Sequence, residues 1–171
     1  MKLAEEILKD HSKPHALKIA DHACASRKNF KELMECFMSD DYRLAARAAW
    51  SVNWAARKKP EMVSPYIGNL VSVLEKKEVH DAVIRNSLRV LEDVELPEAY
   101  HGTLMNICFG FVEDPKTPNA IKAFSLTILE RLMKIYPEIK QELKLIIEEN
   151  WDHETPAFKS RGKKILKALS K

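Results

Sequence analysis

Glycine is scarce in this chain. Only Gly68, Gly102, Gly110 and Gly162 occur among 171 residues, too few for the tight β-turns of a sheet protein or for phosphate-cradling loops. Long apolar runs are also missing. The longest stretch without Lys, Arg, Asp or Glu runs from Ala99 to Val112 and includes His101 and Asn106. It is well short of the roughly 20 apolar residues of a membrane-spanning helix. Glu5 and Glu6 stand where an export signal needs its apolar region. The three cysteines, Cys24, Cys36 and Cys108, form no CxxC pair, as suits reduced thiols. A cytoplasmic protein with no membrane partner is expected. There is no GxGxxG, Walker A, GxSxG or HExxH pattern, so no cofactor is expected and the chain reads as a non-enzyme.

What is present is apolar (46%) and charged (31%) residues in the balance of a folded, helix-rich protein. The net charge is only +3, which names no partner. Its distribution is uneven: from Thr155 onward the chain carries Lys159, Arg161, Lys163, Lys164, Lys167 and Lys171 and no acid.

An internal repeat organises the rest. Ala49-Trp50-Ser51-Val52, Ser87-Leu88-Arg89-Val90 and Ser125-Leu126-Thr127-Ile128 place small, large apolar, polar and β-branched residues in register at steps of 38. The same step takes Arg47 to Arg85, Ala123 and Arg161. Pro60-Glu61, Pro97-Glu98 and Pro137-Glu138 mark the second half of each unit. Proline suits a first helical turn, and a carboxylate there complements the helix dipole. Each unit is therefore a helix A and a helix B opening at Pro-Glu. The A helices are predicted near 41–57, 79–94 and 118–135, and the B helices near 60–76, 97–113 and 137–151. Asp40 and Thr117 are the expected starting caps. Partial helices are expected at 13–26, 29–39 and 156–170. The whole reads as one domain of a partial first unit (1–39), full units at 40–77, 78–115 and 116–154, and a capping helix at 155–171.

The helix from Pro118 to Tyr136 shows why such hairpins must stack. Ile121, Phe124, Ile128, Leu132 and Ile135 share one face, and Leu126, Leu129, Met133 and Tyr136 share an adjacent one. An apolar arc this wide needs neighbours on two sides.

The paired-helix unit of this length, with an arginine in helix A and a proline before helix B, resembles the HEAT repeats of the armadillo-type helical repeat family. The resemblance covers roughly residues 13–170, and Ala123 stands where the third unit's arginine is expected. It implies an all-α fold, a right-handed α-α superhelix of stacked antiparallel helix pairs in a HEAT-like solenoid. It also implies a scaffold or binding module, although some HEAT-like proteins, the alkylpurine DNA glycosylases, are enzymes.

Several constellations are candidates for chemistry. His11, His15 and His22 lack correctly spaced companions for a metal, and no metal site is expected. Arg43, Arg47, Trp50 and Trp54 line one stripe. Such a stripe either stacks on bases and binds phosphates or packs between units, with Arg47 and Arg85 bonding to acids or carbonyls. In the B helix at 97–113, Tyr100, Leu104, Ile107 and Phe111 form the expected core stripe. The opposite side holds Gly102, Met105, Asn106 and Phe109, with His101 at its edge. By the resemblance this side lines the concave surface, so His101, Met105, Asn106 and Phe109 are the expected binding face. Two glycines within one helix suggest a close approach to the backbone. Lys159, Arg161, Lys163 and Lys164 are candidate contacts for an anionic partner. The expected function is a non-catalytic scaffold that binds a protein or peptide through its concave helix-B face. The alternative is a nucleic-acid-binding HEAT-like protein related to the alkylpurine DNA glycosylases.

Overall fold

The computed structural model describes residues 2–171, and every described element is helical. Two compact units share the chain, the first ending at Leu96 and the second spanning Pro97–Lys171. The boundary falls inside the repeat expected at 78–115.

The first unit contains α1 (Leu3–Lys9), α2 (Lys13–Cys24), α3 (Arg27–Phe37) and α4 (Tyr42–Lys58). They are followed by α5 (Pro60–Val63), α6 (Ile67–Leu74) and α7 (Asp81–Leu91). Side-chain caps set several starts. Ser12 accepts from the His15 N–H, Ser26 from that of Asn29, and Asp41 from those of Arg43 and Leu44. Each satisfies donors that a helix start leaves unpaired. The cap of α4 is therefore Asp41 rather than Asp40. His80 caps α7 through Nδ1, which accepts from the Ala82 N–H.

Helix α4 is the hub of this unit, packing against α1, α2, α3 and α7. Its buried face is built of small residues. Ala48, Ala49 and Ala55 are fully buried, with Ser51 and Val52 between them. Alanine lets neighbouring helix axes come close without losing helix propensity. Helix α1 lay outside the predicted elements. Leu3 and Ile7, one turn apart, bury it against α3 and α4.

The second unit contains α8 (His101–Glu113), α9 (Asn119–Ile135), α10 (Lys140–Asn150) and α11 (Pro156–Leu169). Helix α9 packs between α8 and α11. Its two apolar faces are both used: Ile128 and Leu132 on one, Leu126 and Leu129 on the other, are fully buried. Ile135, at the last turn, is 56% exposed. Thr117 does not cap α9. The helix follows Pro118, whose backbone is extended, and the Thr117 N–H is spent on the Asp114 carbonyl.

The Pro-Glu pairs lie in the opening turns, but the regular B helices start later than predicted. Pro97-Glu98 and Pro137-Glu138 lead into single 3-10 turns (Glu98–Tyr100 and Pro137–Ile139) before α8 and α10 begin. After Pro60-Glu61, the short α5 gives way to a 3-10 turn at Ser64–Tyr66, because Pro65 has no N–H to continue the helical ladder.

Candidate functional site

Helix α8 is rotated relative to the expected stripe. Its fully buried line is Leu104, Cys108 and Val112, while Ile107 and Phe111 are only half-buried. The rotation takes two members of the expected binding face inside, since His101 is 7% exposed and Phe109 8%. His101 is acceptable there because it is bonded. Its Nδ1 lies 3.0 Å from the Tyr136 hydroxyl, and the two rings meet edge to face at 84°. A partnered histidine and a free thiol can both join a core, and a stripe that left out Cys108 and put His101 at the edge of the opposite side is off register.

Met105 remains half-buried and Asn106 exposed. Gly102 and Gly110 lie one turn to either side of Asn106 and are also exposed. A Cβ placed on either glycine would meet nothing within 4 Å. Among the described residues, no part of the chain makes the expected close approach to this backbone. The outer side of α8 is thus an uncharged strip with little side chain on it.

The Arg/Trp stripe of α4 faces the N-terminal helices. Arg47 Nη1 donates to the Leu8 carbonyl at 2.8 Å, clamping the end of α1. The Trp50 ring lies 5.3 Å from that of His11. Trp54 lies beneath two cations, Lys13 Nζ at 4.9 Å and the Arg57 guanidinium at 5.5 Å. Arg43 and Arg85 are exposed. His15 Nε2 is 2.7 Å from the Glu6 carbonyl oxygen. Glu6 takes a hydrogen bond from Lys9, which holds its carboxyl below the usual range. No group of three His, Cys, Asp or Glu among the described residues could hold a metal.

Two of the four candidate anion contacts in the tail are occupied internally. Arg161 Nε donates to Thr127 Oγ1 at 3.0 Å, and its guanidinium lies over the Phe124 ring. Lys164 Nζ is 3.7 Å from the carboxylate of Glu130, which is 9% exposed. Lys159 is half-buried and Lys163 exposed. Beneath them, Phe158 and Ile165 are fully buried, so α11 caps the second unit with its apolar side.

The profile of the HEAT repeat domain matches residues 3–169. The chain belongs to the HEAT-repeat family. No curated protein and no solved structure matches it. HEAT repeats generally build helical scaffolds for protein interaction, and the match takes in α1, which the repeat register alone did not reach. No helix among the described residues of this HEAT-repeat chain is long and apolar enough to cross a membrane.

All three thiols of the HEAT-repeat chain are buried. Burial pushes Cys24 and Cys36 above the ordinary thiol range and pushes Cys108 up to about 12, against a small opposing effect of the Ser125 hydroxyl. A nucleophilic cysteine needs the reverse, a thiolate favoured by nearby positive charge.

Proposed function

We propose that this HEAT-repeat chain is a non-catalytic module that binds a partner protein on the outer side of α8. The observation that carries this reading is the open space over Gly102 and Gly110, on a helix face that bears no charge between Ala99 and Val112. Glycine costs a helix about 1 kcal/mol relative to alanine. Two in one helix, one turn either side of an exposed asparagine, suit the close approach of a second backbone. The partner this fits is an amphipathic helix, whose small residues seat over the glycines while Met105 supplies an adaptable apolar contact. Asn106 gives it one polar anchor.

A non-catalytic role is supported by the raised thiols and by the pairing of the buried Glu130 carboxylate with Lys134 and Lys164. The nucleic-acid alternative is weakened by the tail, where Arg161 bonds to Thr127 within the chain.

A photo-crosslinking side chain at Asn106 tests the reading. It should trap a defined protein partner, while the same group at exposed Lys144 should not. Gly102→Glu and Gly110→Lys should each lower affinity for that partner at least tenfold without lowering the chain's own unfolding midpoint. Crosslinking that is equal at both positions, or micromolar duplex DNA binding at physiological salt that depends on Lys163 and Lys164, would overturn it.

A further inference from the structure

Helix α1 is held to the first unit more lightly than its neighbours, a difference that does not depend on α8. Its seven residues are too few for a helix to persist alone, because the first turn is costly to form. It is therefore helical only while docked. Leu3 and Ile7 are its two buried side chains, whereas α2 and α3 each bury five.

The other attachments of α1 converge on its C-terminal end. A helix leaves its last four carbonyls without internal donors, and two of those in α1 are served from outside. Arg47 Nη1 of α4 donates to the Leu8 carbonyl at 2.8 Å, and His15 Nε2 of α2 donates to that of Glu6 at 2.7 Å. Lys18 Nζ also lies 3.7 Å from the Glu6 carboxylate, but its side chain is 71% exposed and such a pair contributes little. The link to α2 is short, Asp10 to Ser12, with an extended backbone at Asp10. Helices α2, α3 and α4 pack directly on one another, so most of their shared core closes without α1.

A thiol lies beside this helix. Leu3 and Ala4 of α1 line one open cleft with Glu35 and Cys36 of α3 and Leu44 of α4. Cys36 is 8% exposed. Burial, with Glu35 and Glu32 nearby, holds its thiol above the ordinary range, and loss of α1 takes away part of that burial.

We propose that α1 is a hinged strap, which lifts about the Asp10–Ser12 link while the rest of the first unit stays folded, and in lifting uncovers Cys36. The Arg47 bond to Leu8 exists only in the closed state and so sets how often the strap lifts. Such an opening is sub-global and costs less than unfolding the whole unit.

The test is labelling of the native full chain with N-ethylmaleimide, read cysteine by cysteine by mass spectrometry. Arg47→Met keeps an aliphatic stem against α4 and removes the donor. It should speed the reaction of Cys36 about tenfold, since a charge-assisted hydrogen bond is lost from the closed state alone. Cys24 and Cys108 should stay within twofold of the wild type, which also shows the variant to be folded. Hydrogen exchange at the Ile7 amide should quicken by the same factor, with that of Val52 in α4 unchanged. Ile7→Ala, which weakens the seat rather than the latch, should speed Cys36 in the same sense. Cys24 quickening together with Cys36 would mean that α1 leaves only when the whole first unit unfolds. A Cys36 rate that both variants leave unchanged, or that rises while the Ile7 amide does not, would mean that α1 is not what covers it. Each of these results overturns the proposal.

Discussion

Lys122 Nζ donates to Glu154 Oε1 at 2.8 Å, and the two side chains are only 7% and 6% exposed. Lys122 sits near the start of α9, and Glu154 immediately precedes Thr155, the cap of α11. The pair thus ties together the beginnings of two helices that pack along their length. Desolvating two ions offsets most of what their attraction contributes, but removing one partner strands the other. Lys122→Met alone should therefore destabilise the chain by about 3–5 kcal/mol, and Lys122→Met with Glu154→Leu should recover most of that loss. Urea unfolding of the three proteins decides it. A loss below about 1 kcal/mol for the single variant would mean that Glu154 escapes to water.

Leu129 lies on the second apolar face of α9 and is fully buried. Leu129→Ala should cost about 2–5 kcal/mol in equilibrium unfolding, from lost transfer energy and the cavity left behind. If the cost is under about 1 kcal/mol, the two-sided packing of α9 is not what holds the second unit together.

Two glycines should respond to alanine in opposite directions. Over Gly110 there is open space, so Gly110→Ala should stabilise by up to about 1 kcal/mol through helix propensity alone. A Cβ at Gly162 would lie 3.0 Å from Ile147 Cγ2 and 3.2 Å from the Trp151 ring. Ile147 is fully buried and has nowhere to move, so Gly162→Ala should destabilise despite the same propensity gain. Melting curves of the pair that shift in the same direction would contradict this account.

Cys108 links stability to alkaline pH. Its thiol ionises near 12 when folded, against an ordinary value of 9.0. A folded pKa raised in this way contributes stability that is complete below pH 9 and lost as pH rises toward 12, since only the unfolded chain ionises there. Between pH 8 and pH 10 the wild type should lose about 1.4 kcal/mol more than Cys108→Val. Equal losses in denaturant titrations at the two pH values would show that Cys108 is not responsible.

Much of the fold was legible because the repeat is written locally. The step of 38 residues, the Pro-Glu pairs and the two faces of the helix after Pro118 are all patterns within a few helical turns. Where a choice of one residue mattered, local pattern failed. Asp41 caps α4 although Asp40 is its equal in type, since only the backbone geometry separates them. The stripe of α8 was set wrongly because His101 is buried by a hydroxyl 35 residues away. The Lys122–Glu154 pair left no trace in the sequence, since it depends on where an element 32 residues away comes to lie. Of the four residues expected on the outer side of α8, Met105 and Asn106 stay there, while His101 and Phe109 are buried.

The arrangement around α4 bears on how the protein is made. The helices that α4 mainly packs on, α1, α2, α3, α5 and α7, lie between Leu3 and Leu91. A nascent chain that has cleared the ribosome as far as Leu91 therefore already holds the main surfaces against which α4 is buried. The first unit can close its core from short-range contacts while the residues from Pro97 onward are still being synthesised. Its alanine face, which would be sticky if left open, is covered early by helices from the same stretch of chain.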